Sequence, residues 1–216
     1  MKETVHILNG QAMYNHFKKT HFLEKEWMIP FNEAMCYGET CSDLFSQEFI
    51  DLRANVHHVT TAQYSKITIE LLKPFFKGNF SRVILWFDTD MFCQINLLTI
   101  LAWLDHTNYQ GEVNLHLVGD KFELIDNFAL EVKGYDSLYK QVLINKESPK
   151  HIEPAPLKKG VELYLNYLNQ DSDIMLFIQK HRDVREKELV YLLLNKFKEY
   201  GLGDQQYSEI IKSCQD

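Results

Sequence analysis

Arg82-Val83-Ile84-Leu85-Trp86-Phe87 runs directly into Asp88-Thr89-Asp90, and the reading of this stretch decides the fold. Its first six residues are almost continuously apolar, as expected of a central strand buried on both faces. Two carboxylates follow at once, and a mostly apolar helix is expected from Cys93 to Leu104. Val113 to Val118 then reads as a further strand, closing at Gly119-Asp120.

Toward the N-terminus the same alternation appears. Thr4-Val5-His6-Ile7-Leu8 is a short β-rich run that stops at Asn9-Gly10, a turn signal. Gln11 to Phe17 reads as helix, with Met13 and Phe17 on one face. A second strand is expected at Trp27 to Phe31, broken by Pro30, and a loop from Asn32 to Glu39 follows it. Ser42 is a suitable N-cap for a helix carrying Leu44, Phe45, Phe49, Ile50 and Leu52 at helical spacing. Another helix is expected from Thr61 to Leu72, ending near Pro74. Parallel neighbours need a crossover, so strands alternating with helices imply a parallel sheet. The expected architecture is an α/β three-layer sandwich with a mostly parallel sheet over residues 1–148. A Pro-containing linker follows over 149–156, and a helical C-terminal segment over 157–216, in which Gly201 is a natural helix terminator.

Composition narrows the function classes. The 216 residues are 45% hydrophobic and 25% charged, ample for a packed core. The formal net charge is −7 and the basic residues are scattered, which weighs against nucleic acid, whose binding rests on clustered Lys and Arg. Lys196, Lys198 and Lys212 near the end are matched by Glu199, Asp204, Glu209 and Asp216, so a DNA-binding helix pair is unconvincing as well. Lys2 and Glu3 lead straight into the first strand with no apolar leader, and no run is long enough to span a bilayer. The expectation is a cytoplasmic protein without a membrane partner. Cys36, Cys41, Cys93 and Cys214 are then free thiols rather than a disulfide framework.

Candidate chemistry gathers at the carboxyl ends of the first and third strands. Ligands of open parallel sheets bind there, where helix N-termini present backbone N–H groups. Asn9 and Gly10 are candidate ligand contacts, although a single glycine falls short of a dinucleotide fingerprint and also suits a simple tight turn. Asp88 and Asp90 are the sharper signal. Two residues apart at a strand-to-helix junction, they could hold a divalent cation or divide acid–base work between separated pKa values. The competing account is helix capping. Gln94, close behind, is a candidate for orienting the acids. Glu33, on the loop after the second strand, is a candidate catalytic carboxylate closing the site, with Gly38 beside it; such loops are also simply solvated.

Arg53 is a candidate contact for an anionic ligand, against the competing reading of a surface salt bridge. His57-His58 do not suit a metal, because adjacent helical residues face apart. Cys36-x4-Cys41 lacks a second ligand pair for structural zinc. Cys93 has no evident partner base, and no nucleophile elbow or Walker loop occurs.

Three segments together resemble a bacterial family catalogued as domain of unknown function 1835. Val5-His6-Ile7-Leu8-Asn9-Gly10 is similar to its opening V-H-I-x-N-G-D stretch, with Gln11 in place of the usual acid. Asn32-Glu33-Ala34 through Gly38 resembles its glutamate loop. Trp86-Phe87-Asp88-Thr89-Asp90-Met91-Phe92-Cys93-Gln94-Ile95-Asn96-Leu97 is similar to its W-F-E-x-D pattern, with Asp88 where Glu is usual. Gly201 through Ile210 resembles its helical ending. The resemblance implies a Rossmann-like fold and carries no reaction with it.

The expected function is therefore a small enzyme or binding protein acting on a phosphorylated or nucleotide-like metabolite. Asp88, Asp90 and Glu33 would be its acid–base or cation-holding groups, and Asn9, Gly10, Gly38, Arg53 and Gln94 its ligand contacts. The alternative is a non-catalytic module in which the helices from Leu157 dock a partner or a second copy of the chain.

Overall fold

A computed structural model describes residues 3–78 and 80–214. Lys2, which entered the leader reading above, and Asp216, which entered the charge reading, lie outside the described residues. Five strands form one sheet: β1 (Thr4–Leu8), β2 (Trp27–Pro30), β3 (Arg82–Phe87), β4 (Glu112–Val118) and β5 (Leu124–Leu130). Their spatial order is β2-β1-β3-β4-β5. The first four are parallel and β5 runs antiparallel to β4. The chain thus leaves β1 toward one edge and returns on the other side of it to build β3. Between β1 and β3 the direction of winding reverses.

Side-chain alternation splits the core into two layers. Val83, Leu85 and Phe87 of β3 join the larger apolar cluster, with α5 (Met91–His106) packed on that face. Trp86 turns the other way, and with Leu8 it packs on Met13 and Phe17 of α1 (Gln11–Lys19). The near-continuous apolar run of β3 is therefore used on both faces, the condition that made it legible.

Three boundaries differ from the sequence reading. The helix expected from Ser42 begins later, as α2 (Gln47–Val56), because the hydroxyl of Ser46 rather than Ser42 accepts the N-capping bond, from the Phe49 N–H. The helix expected to end near Pro74 continues to Lys77. It comprises α3 (Thr61–Tyr64), a π-helical turn over Ser65–Ile69, and α4 (Glu70–Lys77). Pro74 lies inside α4 and removes one backbone donor there, but the helix runs on for only three more residues, to Lys77. Residues 119–148 carry β5 and then α6 (Tyr135–Tyr139), continued by a π-turn over Lys140–Ile144, all unassigned in the sequence reading.

The C-terminal residues form α7 (Ala155–Tyr167), α8 (Asp173–Lys180), α9 (Glu186–Lys196), a 3₁₀ turn (Lys198–Tyr200) and α10 (Asp204–Ser213). They share the main core: Leu157, Val161, Tyr164, Tyr200 and Leu202 are buried with α5 in one apolar cluster. Gly160 is what lets α7 lie so close, since a Cβ there would come within 2.4 Å of Gln94 Cβ. Among the described residues no helix is long and apolar enough to cross a membrane.

Candidate functional site

At the winding reversal, the ends of β1 and β3 and the start of α5 converge. Asp90 ends the β3 turn in extended conformation and caps α5, its Oδ1 accepting from the Cys93 N–H at 2.7 Å. The Cys93 thiol donates to Asp90 Oδ2 at 3.2 Å, and Asn9 donates to the Cys93 sulfur. Asn96, one helical turn further on, binds three segments at once. Its Nδ2 donates to Asn9 Oδ1 at 2.9 Å and to the Glu33 carbonyl at 2.7 Å, while its Oδ1 accepts from the Met35 N–H at 2.9 Å. Amides at the helix start thereby hold the ends of β1 and β2 against α5.

The electrostatics of this cluster are unbalanced. Burial, with a smaller contribution from the Asp88 charge, raises the Asp90 carboxyl to about 6. Only the backbone N–H and thiol of Cys93 oppose the shift; no cationic group of the described residues does. Burial and Asp90 together push the Cys93 thiol well above its usual range, so it is a structural donor rather than a thiolate nucleophile. Gln94 is fully buried; its Nε2 donates to the Asp88 carbonyl, while its Oε1 is without a hydrogen-bond partner. Capping accounts for one carboxylate oxygen of Asp90. The Cys93 thiol occupies the other, and the half-buried Asp88 accepts through Oδ1 from the Thr89 N–H at 2.5 Å and the Thr89 hydroxyl at 3.3 Å, which leaves the Gln94 amide oxygen as the buried atom of this cluster without a partner among the described residues.

At the neighbouring turn, Gly10 adopts φ +91° and no atom lies within 4 Å of where a Cβ would stand. It is the N-cap of α1, which has no side-chain cap and no acid in its first turn. The N–H groups of that turn are therefore available to an anion.

A second polar cluster lies behind the loop that follows β2. Here the Glu33 carboxylate turns inward. Its Oε1 accepts from Arg53 Nη2 at 2.7 Å, from the Ala34 N–H at 2.7 Å and is 2.6 Å from His57 Nε2; its Oε2 accepts from the Tyr64 hydroxyl. Arg53 also donates to the carbonyls of Tyr37 at 2.7 Å, Glu39 at 2.9 Å and Ala34 at 2.9 Å. Burial alone would push Glu33 up, but the His57 hydrogen bond and the Arg53 charge outweigh it and hold the carboxyl at about 2. Gly38, with φ +71°, lets the loop close on α2: a Cβ there would lie 2.5 Å from a methyl of Val56.

The sequence-derived candidates thus divide. Asn9, Gly10, Asp88, Asp90 and Gln94 come together at the winding reversal. Glu33 joins them only through its backbone carbonyl, and Arg53 and Gly38 belong with its carboxylate in the second cluster. The surface salt bridge weighed for Arg53 is a buried one, because the guanidinium is completely enclosed. His57 and Tyr64 were missed as partners of Glu33. Phe49, Arg53 and His57 recur at i, i+4, and a fully buried Phe49 marks the face they share. Among the described residues no group of three or more His, Cys, Asp or Glu side chains is gathered for a metal ion, so a cation here would rest on Asp88 and Asp90 with ligand or water oxygens.

No protein-family model matches the chain, and no curated protein or solved structure matches it. The fold and site by themselves define an α/β protein with a mostly parallel sheet and a cluster of polar side chains at its winding reversal.

Proposed function

We propose that this chain is a cytoplasmic, Rossmann-like protein, akin to domain of unknown function 1835, that binds a phosphorylated or nucleotide-like metabolite between β1 and β3. The phosphate would sit on the open first turn of α1 beside Asn9 and Gly10. A divalent cation on Asp88 and Asp90 would bridge it, as small hard cations are commonly held by one or two carboxylates plus phosphate oxygens. Hydrolysis or transfer at phosphate is the reaction class this arrangement suits. The observation that carries the reading is the pairing of a helix start without a side-chain cap with two carboxylates that no cation among the described residues balances.

Thermal shift with inorganic phosphate, sugar phosphates and nucleotides, with and without Mg2+, tests it. A ligand at about a hundred times its dissociation constant adds about 2.7 kcal/mol, or about 5–10 °C for a chain of this size. Gln11→Glu places a negative charge where the phosphate would sit, yet it favours the helix dipole by roughly 0.3–1 kcal/mol. The variant should keep its melting temperature and lose the shift, as should Asp88→Asn/Asp90→Asn. A shift retained in both would sink the proposed position.

A second reading, a docking module built on the helical tail, is favoured by one observation: Leu176 of α8 and Tyr191 and Leu192 of α9 are exposed. Absence of any ligand shift in the folded wild type would move the weight to it.

A further inference from the structure

The C-terminal segment meets the Asp90 cluster at the turn that precedes α10. Gly201, in the left-handed conformation with φ +64°, ends the 3₁₀ turn directly on the Asp90 carboxylate. A Cβ at Gly201 would stand 2.3 Å from Asp90 Oδ1 and 2.9 Å from Oδ2. Nothing else can therefore approach those oxygens from that side while the turn is seated. Buried Tyr200 and Leu202 flank the glycine and plug the turn into the core, and the Tyr200 hydroxyl donates to Asn166 of α7 at 2.9 Å. A few residues on, Glu209 of α10 faces the Tyr37 hydroxyl on the Glu33 loop. The nearby Glu209 carboxylate, together with burial, raises that phenol to about 12. The tail thus bears on both sides of the crevice, on Asp90 and on the loop after β2.

We propose that the segment from the 3₁₀ turn through α10 is an autoinhibitory cover, seated on Asp90 by Gly201, that must lift before a cation–phosphate ligand can reach that carboxylate. The inference rests on the reading of the crevice as a ligand site, and concerns its regulation. Helix α7 is the fixed base of the cover, held on α5 at Gly160 and Gln94. The lifting part is the turn itself, and its opening would bare Cys93, whose thiol lies hydrogen-bonded to Asp90 beneath it.

Cys93 supplies a readout that needs no ligand. Alkylation of the intact protein by iodoacetamide, followed by mass spectrometry, measures how often the thiol is bared. In the wild type, Cys93 should react faster than denaturant-measured global unfolding permits. Gly201→Ala introduces both the clash with Asp90 and an alanine in the left-handed region. It should raise Cys93 labelling about tenfold and tighten binding of Mg2+ with inorganic phosphate or ATP by a similar factor, because a competent state populated more often lowers the apparent dissociation constant in proportion. Tyr200→Phe, which only removes the bond to Asn166, should move both quantities the same way by less, and it stands in if Gly201→Ala does not fold. Labelling limited by global unfolding and unchanged in both variants would overturn the cover while leaving any phosphate binding intact. Labelling that responds, with no binding of phosphate or nucleotide in any variant, would keep the mobile turn but overturn the crevice as its target.

Discussion

The two polar clusters of this protein are close neighbours built from similar residues, yet their chemistry is opposite. Around Glu33, each charge has an answer: a guanidinium, an imidazole, a phenol and a backbone N–H converge on one carboxylate, and three loop carbonyls accept from the Arg53 Nη groups, leaving only its Nε without a partner among the described residues. Around Asp90 there are two acids, no cation among the described residues, and an amide oxygen with no partner. Buried polar groups are costly unless satisfied. The first cluster therefore reads as a brace that fixes the loop after β2. The second holds unbalanced charge, and unbalanced charge that folding does not need is what a ligand can use.

The largest expected effect tests the brace. Arg53→Met leaves the Glu33 carboxylate buried without its counter-charge, and breaking a buried pair by removing one partner costs about 3–5 kcal/mol. Urea unfolding at neutral pH should show a loss of that order. Asp90→Asn should lose no stability at neutral pH, because the amide oxygen can still cap the Cys93 N–H while an unpaired charge disappears. Equal losses in the two variants would erase the distinction between brace and site.

Why one cluster was legible in the sequence and the other was not follows from where each takes its partners. Asp88 and Asp90 stand at the end of a strand marked by its own apolar run, so Trp86 and Phe87 locate them without any tertiary information. Asn9 and Gly10 are located in the same way by Val5 to Leu8. The Glu33 cluster is assembled across 20 and 31 residues of chain, from Arg53 and Tyr64, and nothing local in Asn32-Glu33-Ala34 shows an inward carboxylate. Edge strand β5 escaped for a related reason. Its apolar residues Leu124, Ile125, Phe128, Ala129 and Leu130 do not alternate with polar ones, and only Phe128 and Leu130 are even partly buried, so its identity as a strand comes from pairing with β4.

Acid–base titration sharpens the contrast at intermediate size. Glu33 is held at about 2 in the folded protein against 4.5 in its absence. Its stabilisation is present above pH 4.5 and is lost as pH falls toward 2. Asp90 works the other way: raised from 3.8 to about 6, the folded form binds the proton more tightly. The unfolded chain then binds fewer protons between those values, so stability falls as pH rises from about 3.8 to 6. With a discount for partial solvent contact the amount is roughly 2 kcal/mol. Unfolding free energies of wild type and Asp90→Asn, compared at pH 4 and pH 7, isolate it: the difference between the two proteins should grow with pH in favour of the variant. A difference independent of pH would mean that Asp90 has a counter-charge after all.

The smallest stability effect is expected at Gln94, and it bears most closely on what the crevice is for. Replacing it by Met removes one hydrogen bond, to the Asp88 carbonyl, and at the same time removes a buried acceptor that has no partner. A typical bond contributes about 0.5–1.5 kcal/mol, and an unsatisfied buried group costs about 1–3 kcal/mol. The two changes oppose each other, so Gln94→Met should unfold within about 1 kcal/mol of wild type. If the orphan oxygen serves only packing against Gly160, Met fills the same space and ligand-induced thermal shifts are untouched. If it helps set the Asp88–Asp90 turn for a cation, the Mg2+-dependent part of the shift falls in the variant while the Mg2+-independent part, carried by the start of α1, remains. That split separates the two halves of the proposed site within one protein whose stability has barely moved.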